Sequence, residues 1–229
     1  MLIAKRILST KFTTKYELTN SKQIKLQNII QNDNNKIIVV TGVAGTGKTM
    51  IACNEAIKMF KENKINKIVI TRPTIPVDGE DLGFLPGTLQ NKIYPYLIPV
   101  YDYFLDHYTQ DQLLNLINSK KIEVCPLAYM RGRTFKNTII LADEMQNTTP
   151  NQMKMILTRL GINSKIIITG DLEQSDILKY NGLQNLLELM DQKYPEYYKM
   201  IENNIAKIEL DESCIQRSEI IKTIINLYK

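Results

Sequence analysis

The sequence predicts a doubly wound α/β domain, a mostly parallel sheet with helices on both faces, and three observations carry that expectation. Short β-branched runs alternate along the chain with stretches of helical periodicity. Several of those runs are continuously apolar rather than alternating, the pattern of strands that helices cover from both sides. One of them, Ile37-Ile38-Val39-Val40, leads directly into the glycine-rich segment Gly42-Val43-Ala44-Gly45-Thr46-Gly47-Lys48-Thr49, which opens a helical pattern.

Taken in order, strands are expected over residues 36–41, 67–71, 122–125, 138–142, 165–169 and 206–210. Between them, residues 50–63 place Ile51, Ala52, Ala56, Met59 and Phe60 on one helical face, and residues 111–118 do the same with Leu113, Leu114 and Ile117. A third helix is marked at Pro150: Thr149 caps it, proline suits its first position, Met153, Ile156, Leu157 and Leu160 form its stripe, and Gly161 closes it. A last helix is expected over residues 218–228. Residues 73–88 and 94–108 interrupt the alternation with proline, glycine and tyrosine, and long irregular loops in a compact domain are usually functional.

A chain of 229 residues can form one sizeable core, so a single domain over 1–229 is expected. The net charge of +5 comes from 29 basic and 24 acidic residues spread along the chain, which permits nucleic-acid binding without demanding it. Cys53, Cys125 and Cys214 lie far apart, with no zinc-like spacing and an odd count that argues against a disulfide framework. They are expected to be small buried hydrophobes in a reducing, cytoplasmic compartment. No run approaches the roughly 18 uninterrupted apolar residues of a spanning helix, so a soluble protein without membrane contact is expected.

The strongest chemical signal is the phosphate loop. Glycines let successive backbone N–H groups turn toward a triphosphate, and the following helix offers its positive end to the same anion. Gly42, Val43, Ala44, Gly45, Thr46 and Gly47 form that cradle, Lys48 neutralises the outer phosphates, and Thr49 offers its hydroxyl to Mg²⁺. The apolar run Ile139-Ile140-Leu141-Ala142 then ends in Asp143-Glu144, which places one carboxylate beside the metal and a second as general base for the attacking water. Solvated acids at a strand end are the plain alternative, which the pairing with the phosphate loop outweighs. Ile166-Ile167-Ile168-Thr169-Gly170-Asp171-Leu172-Glu173-Gln174 repeats the design of strand, turn and polar mouth, with Gln174 as a sensor of the γ-phosphate or of the water.

Several segments together resemble the PhoH family of ATPases: Thr71-Arg72-Pro73, Asp78-Gly79-Glu80-Asp81-Leu82-Gly83-Phe84-Leu85-Pro86-Gly87, Pro126-Leu127-Ala128-Tyr129-Met130-Arg131-Gly132-Arg133-Thr134, Asp143-Glu144-Met145-Gln146-Asn147-Thr148-Thr149 and Gly170-Asp171-Leu172-Glu173-Gln174. The resemblance runs from about Tyr16 to the C-terminus. It implies a RecA-like core similar to the first domain of superfamily-one helicases, ATP hydrolysis with ATP and Mg²⁺ as ligands, and a link to RNA metabolism. It also implies that Gln23 reads the adenine edge, for which a solvated residue at a helix start is the alternative, and that Gln146 lies near the γ-phosphate, for which a plain loop residue is the alternative. Two positions depart from the family's pattern. Met145 stands where a small residue is common, and Gln216-Arg217-Ser218 replaces a basic segment in which histidine follows arginine.

Fast phosphoryl transfer uses a cation on the outer side of the γ-phosphate, worth roughly 10³–10⁵ in turnover. With one phosphate loop in the sequence, a neighbouring subunit in a homo-oligomeric ring is expected to supply it, through Arg217, Arg131 or Arg133. For Tyr94, Tyr96, Tyr101, Tyr103 and Phe104 near Lys92, stacking on single-stranded RNA competes with packing against the sheet, and packing is favoured. Arg72 is open between nucleic-acid contact, intersubunit pairing and solvated charge, and the single histidine, His107, is given no role. Two other functions share the phosphate loop: a small-molecule kinase, and a regulatory module that holds ATP with negligible turnover.

Overall fold

A computed structural model of the chain describes residues 17–73, 100–177 and 180–215. Among the described residues, β1 (Ile37–Gly42), β2 (Lys67–Thr71), β3 (Ile122–Val124), β4 (Thr138–Ala142), β5 (Lys165–Gly170) and β6 (Ile205–Leu210) form one sheet in the order β3-β2-β4-β5-β1-β6. Its pairings are all parallel. The helices are α1 (Ser21–Gln31), α2 (Lys48–Lys61), α3 (Gln110–Asn118), α4 (Pro150–Leu157), α5 (Gly182–Lys193) and α6 (Tyr197–Glu202), with a further helical stretch over residues 100–105.

Strand period divides the apolar residues into two cores. Ile38, Val40, Ile139, Leu141 and Ile167 face α1, α2, α3 and residues 100–105, whereas Val39, Ile140, Ala142, Ile166 and Ile168 face α4, α5 and α6. Alternate positions thus bury on opposite sides, which is why the strands read as continuous apolar runs. Each isoleucine so buried stabilises the fold by roughly 1.5–3 kcal/mol relative to exposure. Phe104 is fully buried in the first core with Tyr101 and Tyr103 packed against it, so the packing reading holds for these three. Tyr94, Tyr96 and Lys92 lie outside the described residues, as do the loop from Asp78 to Gly87 and the helix expected over 218–228.

The α4 start matches its sequence signals: the Thr149 hydroxyl accepts from the Gln152 N–H in a reciprocal capping box, and Pro150 fills the first turn. Its end does not. The helix stops at Leu157, Leu160 forms an isolated bridge with Phe135, and Gly161 does not take the left-handed conformation of a helix cap. Gly161 instead lets two chain segments meet, because its N–H donates to the Phe135 carbonyl at 2.7 Å and a Cβ there would lie 2.6 Å from that oxygen. α1, α5 and α6 are not among the elements expected from the sequence. No helix among the described residues is long and apolar enough to cross a membrane.

Candidate functional site

The parallel sheet brings the C-terminal ends of β1, β5 and β4 side by side, and helices leave β1 and β4 toward opposite faces, so a crevice opens at their mouths. β1 ends at Gly42, whose φ is +142° and whose absent Cβ would lie 2.0 Å from the Leu210 carbonyl oxygen on β6. Only glycine fits there. The loop then turns through Gly45 and Gly47, with φ of 83° and 90°, into α2. Gly47 is the N-cap of α2 and offers no side chain to the first-turn N–H groups, which leaves them for an anion.

Lys48 folds back over this loop, its Nζ donating to the carbonyls of Gly42 at 2.5 Å and Val43 at 2.9 Å. Burial lowers the Lys48 pKa, and the carboxylates of Asp171, Glu144 and Asp143 oppose that effect without cancelling it. Asp143 is buried at the end of β4. Its Oδ1 accepts from the Thr49 hydroxyl at 2.8 Å and the Thr169 hydroxyl at 2.5 Å, and its N–H donates to the Thr71 carbonyl at 3.0 Å. Side chains from α2 and β5 therefore fix the carboxylate, and β2 fixes the main chain that carries it.

Glu144 has φ 55° and ψ 40°, a left-handed conformation that costs a non-glycine residue roughly 1–2 kcal/mol. Its Oε2 accepts from Gln146 Nε2 at 2.6 Å, and its Oε1 lies 3.6 Å from Arg72 Nη2. Gln146 is buried and braces two strand mouths, donating also to the Gln174 carbonyl at 3.3 Å while its Oε1 accepts from the Asp171 N–H at 3.1 Å. Gly170 makes room for this amide, since a Cβ there would lie 2.9 Å from Gln146 Oε1. Gln174 itself is exposed in a short turn, and its hydrogen bond to Gln146 comes from its main chain.

On the other side of the loop, buried Gln23 donates through Nε2 to the Thr46 carbonyl at 2.9 Å and the Cys214 carbonyl at 3.1 Å. The turn after β6 closes on α1 through Asn20 to the Ser213 carbonyl and the Lys22–Asp211 ion pair at 2.7 Å. Beside it a cleft of about 810 Å³ opens, whose walls include Gly42, Val43, Asp171, Glu173, Lys22 and Asp211.

The three arginines considered as outer cations separate. Arg133 is committed within the chain, its guanidinium donating to both Glu123 oxygens at 2.7 and 3.0 Å and lying over the Phe135 ring. Arg131 is exposed, and Arg217 lies outside the described residues. His107 Nε2 is 2.7 Å from Asn54 Oδ1, and all three cysteines are buried and free. The roles of Thr169, which steadies Asp143, and of Arg72, which meets Glu144, escape sequence reasoning because their partners are distant along the chain. A threonine in the last turn of an apolar strand, one position before Gly170-Asp171, was the available signal for the first.

A family model described as "PhoH-like protein" matches residues 16–229. The PhoH-like protein of Bacillus subtilis is 45% identical over 194 residues, covering 85% of this chain and 58% of the relative. That of Synechocystis is 37% identical over 220 residues, covering 95% of this chain and 64% of the relative. The chain thus spans roughly three fifths of the length of these relatives. Among solved structures, the large terminase of a thermophilic bacteriophage superposes with a TM-score of 0.51 at 11% identity, over 90% of this chain and 49% of that one. The likeness is one of fold, an α/β RecA-like fold with an all-parallel sheet.

Proposed function

The chain belongs to the PhoH-like protein family, and on that premise we propose that it binds Mg·ATP and hydrolyses it, coupled to RNA or another single-stranded nucleic acid. One observation supports this reading above the rest: an α2 N-terminus without a side-chain cap, entered through left-handed glycines, faces Asp143 and Glu144 across Lys48.

The residues present suit the ligands. Free N–H groups at a helix start, with an ammonium beside them, bind a polyphosphate. The Thr49 hydroxyl and the Asp143 carboxylate, 2.8 Å apart, make a hard-oxygen pair of the kind that holds Mg²⁺. When bound, Mg²⁺ neutralises phosphate charge as it transfers. The chain's own groups do the rest: Lys48 exchanges its bonds to the Gly42 and Val43 carbonyls for phosphate oxygens, and Glu144 orients a water and takes its proton. Gln23, fastened to the loop at Thr46, takes the adenine side, and Gln174 the γ-phosphate side. A neighbouring copy supplies the outer arginine, with Arg131, which is exposed, as one donor and Arg217 as the other candidate, which makes the working unit a homo-oligomer.

The test is steady-state phosphate release together with binding of a fluorescent ATP analogue. Glu144→Gln should keep nucleotide affinity within about twofold and lower turnover by about 10²–10⁴. Lys48→Ala should lose both. Undiminished Mg·ATP uptake by Lys48→Ala would remove the phosphate loop from the mechanism, and a wild type as slow as Glu144→Gln would leave a nucleotide-holding module. Single-stranded RNA should raise the rate in a salt-dependent way.

A further inference from the structure

The two oxygens of Glu144 are held by different groups from different parts of the chain. Oε2 takes the Gln146 amide at 2.6 Å, and Oε1 faces the Arg72 guanidinium at 3.6 Å. A carboxylate hydrogen-bonded at one oxygen still swings about its side-chain bonds, and a guanidinium charge beside the other oxygen biases that swing toward one orientation. Glu144 has particular need of this, since it follows β4 in a left-handed conformation and belongs to neither a strand nor an α-helix.

Arg72 immediately follows β2, and the last residue of that strand, Thr71, accepts the Asp143 N–H at 3.0 Å. One strand end therefore grips both acids of the Asp143-Glu144 pair, the first by main chain and the second by side chain. The Arg72–Glu144 pair is about one-third exposed on each side. An ion pair so open to water adds little to stability, so its value lies in where it places the carboxylate.

We infer that Arg72 is a positioning residue for hydrolysis, which with Gln146 sets the Glu144 carboxylate toward the attacking water. The inference rests on the reading of Glu144 as general base. A group that orients a base without touching nucleotide changes turnover and leaves binding alone.

The experiment compares wild type, Arg72→Gln, Arg72→Lys, Glu144→Gln and the Arg72→Gln/Glu144→Gln double variant, by turnover without nucleic acid and by affinity for a fluorescent ATP analogue. Arg72→Gln should lower kcat by about tenfold or more with nucleotide affinity within about twofold. Arg72→Lys should restore most of that loss, and the double variant should be no slower than Glu144→Gln alone. Should Arg72→Gln lose its cooperative melt, Arg72→Met, which keeps the aliphatic stem, takes its place.

A kcat for Arg72→Gln within twofold of wild type overturns the inference, as does a loss of affinity that parallels the loss of rate. A double variant well below Glu144→Gln also overturns it, because Arg72 would then act by another route. Wild-type turnover in Glu144→Gln would instead overturn the general-base reading beneath, an outcome read from that variant alone.

Discussion

The mouth of the sheet and the β2–β3 edge both gather acids and bases, but in opposite proportion. At the edge, Glu123 is met by two cations: Lys67 pairs with it, and Arg133 grips both its oxygens. Burial would raise its pKa, yet the hydrogen bonds from Arg133 and Lys67 outweigh that and hold it down at about 2. At the mouth, Asp171, Glu144 and Asp143 all act on half-buried Lys48, and Glu144 also meets Arg72. The hydrogen bonds to the Asp143 carboxylate come from neutral hydroxyls rather than cations. One cluster is neutralised from within the chain. The other carries acid in excess, which suits a site that receives a divalent cation.

The contrast breaks first, and by the largest margin, at Asp143. Asp143→Asn keeps an oxygen for both threonines, so its melting temperature should equal or exceed that of wild type while hydrolysis falls by roughly 10²-fold, as removal of a single site group commonly does. A thermal melt beside a Mg²⁺ titration of turnover checks it. Parallel loss of stability would show that the mouth is merely another structural cluster.

Glu123→Gln should do the reverse, with turnover unchanged and stability reduced by about 1 kcal/mol, the upper end for a pair partly open to water. The sign follows from a folded pKa of about 2 against 4.5 for the free side chain. The carboxylate's contribution is full above pH 4.5 and lost as the pH falls toward 2, so wild type and variant should converge in acid. Urea unfolding at a series of pH values measures this.

The smallest effect concerns buried Lys165, whose ammonium donates to the Ile30 and Asn32 carbonyls at the end of α1. Burial lowers its pKa to about 8 from 10.5, so between those values the unfolded chain holds a proton that the fold has released. Stability from this group is complete above pH 10.5 and lost as the pH falls through about 8. Relative to Lys165→Met, the wild type should therefore gain as the pH rises through that window. A flat difference in denaturation midpoints would remove the claim.

Much of the fold was legible. The six expected strands coincide with β1–β6 to within a residue at each end, because an apolar run covered on both faces has a distinct signature. The helix start at Thr149 was equally readable, a local exchange of hydrogen bonds across three residues. α1, α5 and α6 were not, since their buried residues are scattered among polar ones and depend on which strand face lies beneath. Gly161 marks the same limit: as a letter it suits a helix end, and only the approach of Phe135 explains it.

By itself, the sequence determined the phosphate loop, the strand that delivers it and the acids that end β4, because each is a pattern of neighbours whose spacing fixes its own geometry. The tertiary structure alone decided that Thr169 meets Asp143 across 26 residues, that Gln146 joins two strand mouths, and that Arg72 rather than Arg133 reaches the site. Those meetings follow from strand order, and the order in which parallel strands pair depends on long-range packing that no local spacing encodes.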